Sequence, residues 1–162
     1  MSLSASVVTS AQLALDLARP CVAEGRAEGL ARGVCRLLDA MGICSLVEVP
    51  LGTGRRADVL GQDGKGRFLI VEIKSGIADF RTDAKWQDYR NHCDRLYFAV
   101  SNDFPLDVLP QDVGVIVADR FGAEIRRDAP LQPMAQRLRR KQAIRFGRVA
   151  AHRLRFFHEE PC

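Results

Sequence analysis

No run of this sequence is long and apolar enough to cross a bilayer; the longest candidate, FLIV at Phe68–Val71, is far too short. The opening MSLSASVVTS lacks the basic start and continuous apolar core of a secretory signal, so a cytoplasmic, nucleoid-associated location is expected. Cysteine is sparse and scattered: Cys21, Cys35, Cys44, Cys93 and Cys162 form no CxxC pair and no zinc-like cluster with histidine. Such spacing reads as free thiols, not as a disulfide framework or a zinc site. His92, His152 and His158 are dispersed, and none has a carboxylate or cysteine partner at a diagnostic spacing. Gly52 and Gly54 mark a turn but belong to no phosphate-binding or dinucleotide fingerprint, which leaves ATP or NAD dependence without support.

What is present suits one globular domain. The chain has 162 residues, of which 47% are hydrophobic and 27% charged. Ser10 caps a short predicted helix over Ala11–Leu17, and apolar residues recur at three and four along a longer one over Glu24–Ala40. Strands are predicted at Ser45–Val49, Arg56–Leu60 and Arg67–Lys74, with turns at Pro50–Gly54 and Gly61–Gly66. A helix follows over Asp79–Cys93, then strands at Leu96–Val100, Val113–Ala118 and Ala123–Ile125, and a largely helical tail over Gln132–Phe157. The order predicts an α/β fold with a mixed central sheet and helices on its faces.

The densest chemistry lies in RADVLGQDGKGRFLIVEIKSG, Arg56–Gly76. Side chains alternate along a strand, so Glu72 and Lys74 share one side while Ile73 points the other way. Asp58 reaches the same side if its strand is the neighbour. Carboxylates converging from adjacent strands make a hard, oxygen-rich site for magnesium or manganese, to which the Ile73 carbonyl adds a ligand. A metal held there would polarise a phosphodiester and generate hydroxide, with Lys74 orienting water or stabilising phosphoryl charge. The same residues would equally suit a solvated strand face, with Asp58 paired to Arg55 or Arg56. In the following helix Asp79, Asp83, Lys85 and Gln87 are available; Lys85 suits a phosphate contact and Gln87 the positioning of water.

Asp58 with Glu72-Ile73-Lys74 resembles the bipartite motif of the PD-(D/E)XK nuclease superfamily, and the order of elements resembles its restriction-endonuclease-like core. GRRADVLG (Gly54–Gly61), VEIKSGIADFRTDAKWQDY (Val71–Tyr89), CDRLYFAV (Cys93–Val100) and GVIVADRFGAEI (Gly114–Ile125) are similar to the MmcB-type bacterial DNA-repair family, described as endonucleases. The resemblance implies a nuclease-like domain over residues 1–125 and a basic, mostly helical extension over 126–162 packed on it. It also implies metal-binding roles for Asp58 and Glu72, a catalytic role for Lys74, and a further carboxylate, for which Glu24, Glu28 and Glu48 are the candidates. One departure stands out: Ala57 occupies the position of the superfamily's proline.

Charge is unevenly spread. The net charge is only +4, yet ten Arg and Lys residues lie between Arg126 and Arg155 with Asp128 as the one acid among them. Arg137, Arg139, Arg140, Lys141, Arg145 and Arg148 form the expected phosphate-binding set, largely indifferent to base sequence. DNA, branched or damaged, is the expected partner, with RNA not distinguished by phosphate chemistry. The alternative function is a non-catalytic DNA-binding accessory protein on a nuclease scaffold, acting with a repair-protein partner. A homodimer would suit a two-stranded substrate; no membrane partner is expected.

Overall fold

The computed structural model describes residues 25–83 and 85–159; the predicted Ala11–Leu17 helix lies outside them. Helix α1 (Arg26–Ala40) leads into β1 (Cys44–Pro50), β2 (Arg56–Gln62) and β3 (Phe68–Lys74). A short helix α2 (Ile77–Thr82) and a 3-10 helix (Trp86–His92) carry the chain to β4 (Arg95–Val100). Then come β5 (Gly114–Ala118), β6 (Ala123–Arg127) and the long helix α3 (Gln136–Glu159). The six strands form one sheet in the order β1-β2-β3-β4-β5-β6. β2 runs antiparallel to both β1 and β3, β3, β4 and β5 run parallel, and β6 is antiparallel to β5. This is the mixed sheet flanked by helices that the sequence predicts, consistent with a restriction-endonuclease-like core.

Strand β3 reads FLIVEIK and is buried at every position, as a central strand covered on both faces should be. Its odd-numbered side chains, Leu69, Val71 and Ile73, meet Leu30, Val34 and Leu38 of α1. Helix α1 and the β5–β6 turn approach so closely at Gly33 that a Cβ there would lie 2.0 Å from the Asp119 carbonyl oxygen, so only glycine fits. The even-numbered side chains, Phe68 and Ile70, join Leu60, Phe98, Trp86 and Tyr89 on the opposite face. Aromatic rings meet edge to face there, with centroids 5.4 Å apart for Trp86–Phe98 and 6.0 Å for Phe68–Phe146. Phe146 and Val149 thereby bring α3 onto this face, and the helix runs through Gly147 unbroken because that packing outweighs glycine's weak propensity.

The segment predicted as one helix over Asp79–Cys93 is two. α2 stops at Thr82, and Asp83 leaves helical geometry at φ −88°, ψ 80°. Its carboxylate is drawn away by Lys74 and by the Lys85 backbone N–H, a local bond that competes with helix continuation. The chain then restarts as the 3-10 helix, whose Trp86 and Tyr89 are the buried pair.

Asp94, 1% exposed, fixes α3 to the sheet. Its carboxylate accepts the Phe68 N–H (2.8 Å), the Met134 N–H (2.9 Å) and both terminal nitrogens of Arg139 (2.8 and 2.6 Å). Burial opposes the charge, but the Arg139 fork and the two backbone donors hold this carboxyl below the usual carboxylate range. Arg139→Ala should therefore cost about 3 kcal/mol in urea unfolding at neutral pH, because it leaves a buried carboxylate short of its partner. A carboxyl with a lowered folded pKa contributes its stability above the unfolded value, near 3.9, and loses it as pH falls further. The deficit should accordingly shrink at acid pH when unfolding midpoints of the two proteins are compared.

Candidate active site

The β2–β3 ladder runs from Gln62↔Phe68 to Val59↔Val71 and ends there, while β3 stays paired with β4 as far as Lys74↔Val100. Where β2 parts from β3, two carboxylates take over the bonding. Asp58 Oδ2 accepts the Ile73 N–H at 2.7 Å, and Glu72 Oε1 accepts the Asp58 N–H at 3.3 Å. Each acid is thus held against the backbone of the other's strand. Alternation puts Asp58 on the side of Leu60, and Glu72 and Lys74 on the side of Ile70. On the far side of β2, the pairs Val47↔Val59 and Val49↔Ala57 bracket Glu48 opposite Asp58. Glu48 adopts φ 49°, a left-handed conformation that a non-glycine residue rarely takes, and its carboxylate lies 3.3 Å from Arg56.

Glu72 is 3% exposed and Lys74 4%. Burial, reinforced by the charge of Asp58, pushes the Glu72 carboxyl up to about 8. Burial also raises Asp58, against the opposing pull of the Ile73 N–H, Lys74 and Arg56; Glu48 adds a repulsive contribution. The Lys74 ammonium is 2.5 Å from Asp83 Oδ2. Despite its own partial burial, Asp83 is held below the ordinary carboxylate range by that bond and by the Lys85 N–H. Tyr89 donates its hydroxyl to the Arg56 carbonyl at 3.1 Å, and burial together with Glu72 and Asp58 raises its phenol.

The structure thus brings Asp58, Glu72 and Lys74 together. Lys85 and Gln87 are both exposed at the start of the 3-10 helix, and neither is bonded to the carboxylate pair in the described contacts. The polar residue of this segment that does enter the cluster is Asp83. Its sequence signal was its place in DFRTDAKWQDY; nothing in the helical pattern singled it out from its neighbours. In the sequence Tyr89 reads as a residue that packs this segment onto the sheet. Among the carboxylate candidates, Glu48 sits beside Asp58, Glu28 lies on α1 within reach of the Gly25 N–H, and Glu24 is outside the described residues.

The basic set divides on α3. Arg137, Arg140, Lys141 and Arg148 are exposed. Arg139 is engaged by Asp94, and Arg145 donates to Gln142 at 2.9 Å while covering Gly52, where a Cβ would lie 2.6 Å from its guanidinium. Farther along, Arg153 donates to the Glu48 carbonyl at 3.1 Å. The basic helix therefore passes from the Asp94 clasp to the strand next to Asp58.

Among the described residues no group of three or more His, Cys, Asp or Glu side chains converges on one point. The pair Asp58 and Glu72 with the Ile73 carbonyl still fits magnesium or manganese, hard cations that take oxygen ligands and keep several waters. A divalent cation held there would add positive charge beside two acids whose burial disfavours ionisation. Without a cation, a carboxyl raised in the fold is most favourable when protonated, and its contribution is lost as pH climbs from the ordinary value of about 4.3 towards 8. In metal-free buffer Glu72→Gln should therefore be more stable than the parent by roughly 1–3 kcal/mol above pH 8, and the gap should close towards pH 5 in urea titrations.

The chain matches the family model of DNA repair protein MmcB-like over residues 18–160. It also superposes with TM-score 0.81 on a protein of unknown function from Silicibacter pomeroyi, at 41% sequence identity, covering 85% of this chain and 94% of that one. No curated protein matches the chain. With its sheet, its paired acids and this match across most of its length, the chain belongs to the MmcB-like family of DNA repair proteins.

Proposed function

We propose that this protein is a DNA-repair endonuclease that hydrolyses DNA phosphodiesters with a divalent metal, magnesium or manganese. The observation that carries the reading is the reciprocal hold of Asp58 and Glu72 where β2 leaves β3, beside a buried lysine. Asp58, Glu72 and the Ile73 carbonyl would hold the metal, with both acids ionised. When bound, the metal supplies Lewis acidity and a water of lowered pKa. Lys74 presents its ammonium to the phosphoryl oxygens, where charge develops during displacement. Lys85 and Gln87 stand on the exposed rim and suit contact with flanking phosphate and water. Arg137, Arg140 and Lys141, near the Asp94 clasp, and Arg148, farther along α3, neutralise phosphates of the DNA backbone away from the cleaved bond, with Arg139 and Arg145 supporting the helix that carries them.

A second reading, a non-catalytic DNA-binding accessory protein acting with a repair partner, draws on two observations. The described residues converge only two carboxylates, and Asp83 already occupies the Lys74 ammonium. Both readings place the protein on the nucleoid, with a homodimer suiting two-stranded substrates.

Cleavage separates them. Wild type, Asp58→Asn, Glu72→Gln and Lys74→Ala should be compared on single-stranded, duplex, nicked and branched DNA with magnesium or manganese. The endonuclease reading expects cleavage by wild type and a loss of at least about 100-fold in each variant, with folding and DNA affinity retained. Cleavage undiminished in both carboxylate variants would remove the metal site; binding without cleavage on every substrate would favour the accessory protein. Replacing Arg137, Arg140, Lys141 and Arg148 together by alanine should weaken DNA binding and flatten its dependence on salt by about three to four units of log–log slope. Binding isotherms at several salt concentrations measure this without disturbing the Arg139–Asp94 clasp.

A further inference from the structure

Lys74 ends β3 almost wholly buried, with its Nζ 2.5 Å from Asp83 Oδ2 and 5.8 Å from the centre of the Phe98 ring. Asp58 and Glu72 are also near enough to act on its charge electrostatically. A four-carbon stem carrying a compact ammonium has no intrinsic reason to choose Asp83 over two carboxylates on its own face. Asp83 prevails because it is itself immobilised. It closes α2, donating its N–H to the Phe80 carbonyl at 3.2 Å, and its Oδ1 accepts the Lys85 N–H at 3.1 Å. Phe80 anchors that turn edge-on against Phe98, with ring centroids 5.5 Å apart. One oxygen of Asp83 is thus committed to the backbone, and the other is left in a fixed position for Lys74.

We infer that Asp83 is a positioning residue of the hydrolytic site: it holds the Lys74 ammonium away from the Asp58–Glu72 pair and aims it at the place of the substrate phosphate. The inference rests on the endonuclease reading and adds a residue to it. Without Asp83, the ammonium turns to the nearest anionic oxygens, those of Glu72 and Asp58. There it competes with a divalent cation for the same carboxylates and leaves the phosphoryl oxygens. Asp83 touches neither metal nor substrate in this scheme and acts only through Lys74. A merely stabilising ion pair would behave differently, because its loss would lower the unfolding midpoint and leave the site's chemistry unchanged.

The test is a double-mutant cycle with two readouts. Wild type, Asp83→Ala, Lys74→Ala and the double variant are compared for manganese affinity by titration and for single-turnover cleavage of DNA. Asp83→Asn accompanies them, since it keeps the volume and an acceptor for the Lys85 N–H if the alanine variant folds poorly. The expected result is a loss of about tenfold in manganese affinity and of roughly 10–100-fold in cleavage rate for Asp83→Ala, with DNA affinity unchanged within about twofold. In the Lys74→Ala background, removing Asp83 should change either quantity by less than about twofold. Equal losses in both backgrounds would make Asp83 simply another nearby charge and overturn the inference, as would wild-type behaviour of both Asp83 variants. Wild type that binds manganese and cleaves while the cycle is additive removes only the role of Asp83. Wild type that binds no manganese removes the metal-dependent reading and this role together.

Discussion

Six hydrogen bonds meet at Asp94. Its main chain pairs with the Phe68 carbonyl and the Gln132 N–H, and its side chain takes the Phe68 and Met134 N–H groups and the Arg139 fork. One residue therefore joins the start of β3, the start of β4, the segment after β6 and the first turn of α3. The register of β3 determines where Glu72 and Lys74 fall, and the seating of α3 determines where its exposed cations lie. A buried carboxylate can do this because its charge leaves no cheap alternative: every donor that deserts it leaves a desolvated anion. The geometry of the opposite end of the sheet thus depends on an anchor twenty or more residues away in sequence.

At that opposite end the fold departs from regular pairing. An uninterrupted β2–β3 ladder would satisfy Asp58 and Ile73 through main-chain bonds. Instead the strands part, and the side chains close the gap with two acids whose burial disfavours their charge. Conflict between local preference and global burial concentrates at functional sites, because the surrounding framework supplies the stability that the site gives up. The framework here is ample: β3 is buried along its whole length, with helices on both faces.

Much of this was legible in the residues. Alternation along FLIVEIK put Glu72 and Lys74 on one side, and the short hairpin made β2 the neighbour that brings Asp58 across. The largely helical, basic tail was expected over Gln132–Phe157, although the helix begins later, at Gln136. What escaped the sequence was partnership at a distance. Arg139 looks like Arg137 and Arg140 in a one-dimensional reading; only the fold reveals that Asp94 claims its guanidinium. The break at Asp83 was hidden for the same reason, since the ammonium that draws its carboxylate away lies on a different element. The left-handed turn at Glu48 carried no glycine to announce it.

That turn has a further effect. β1 is an outer strand, and an outer strand of this length exposes a row of unpaired amide and carbonyl groups on which another chain can build. At Glu48 the backbone swings out of extended geometry, and Arg153 occupies its carbonyl from α3. The row is interrupted near its middle, so an incoming strand would find neither a straight edge nor a complete set of acceptors. The distortion next to Asp58 therefore also makes the β1 edge a poor template for an added strand.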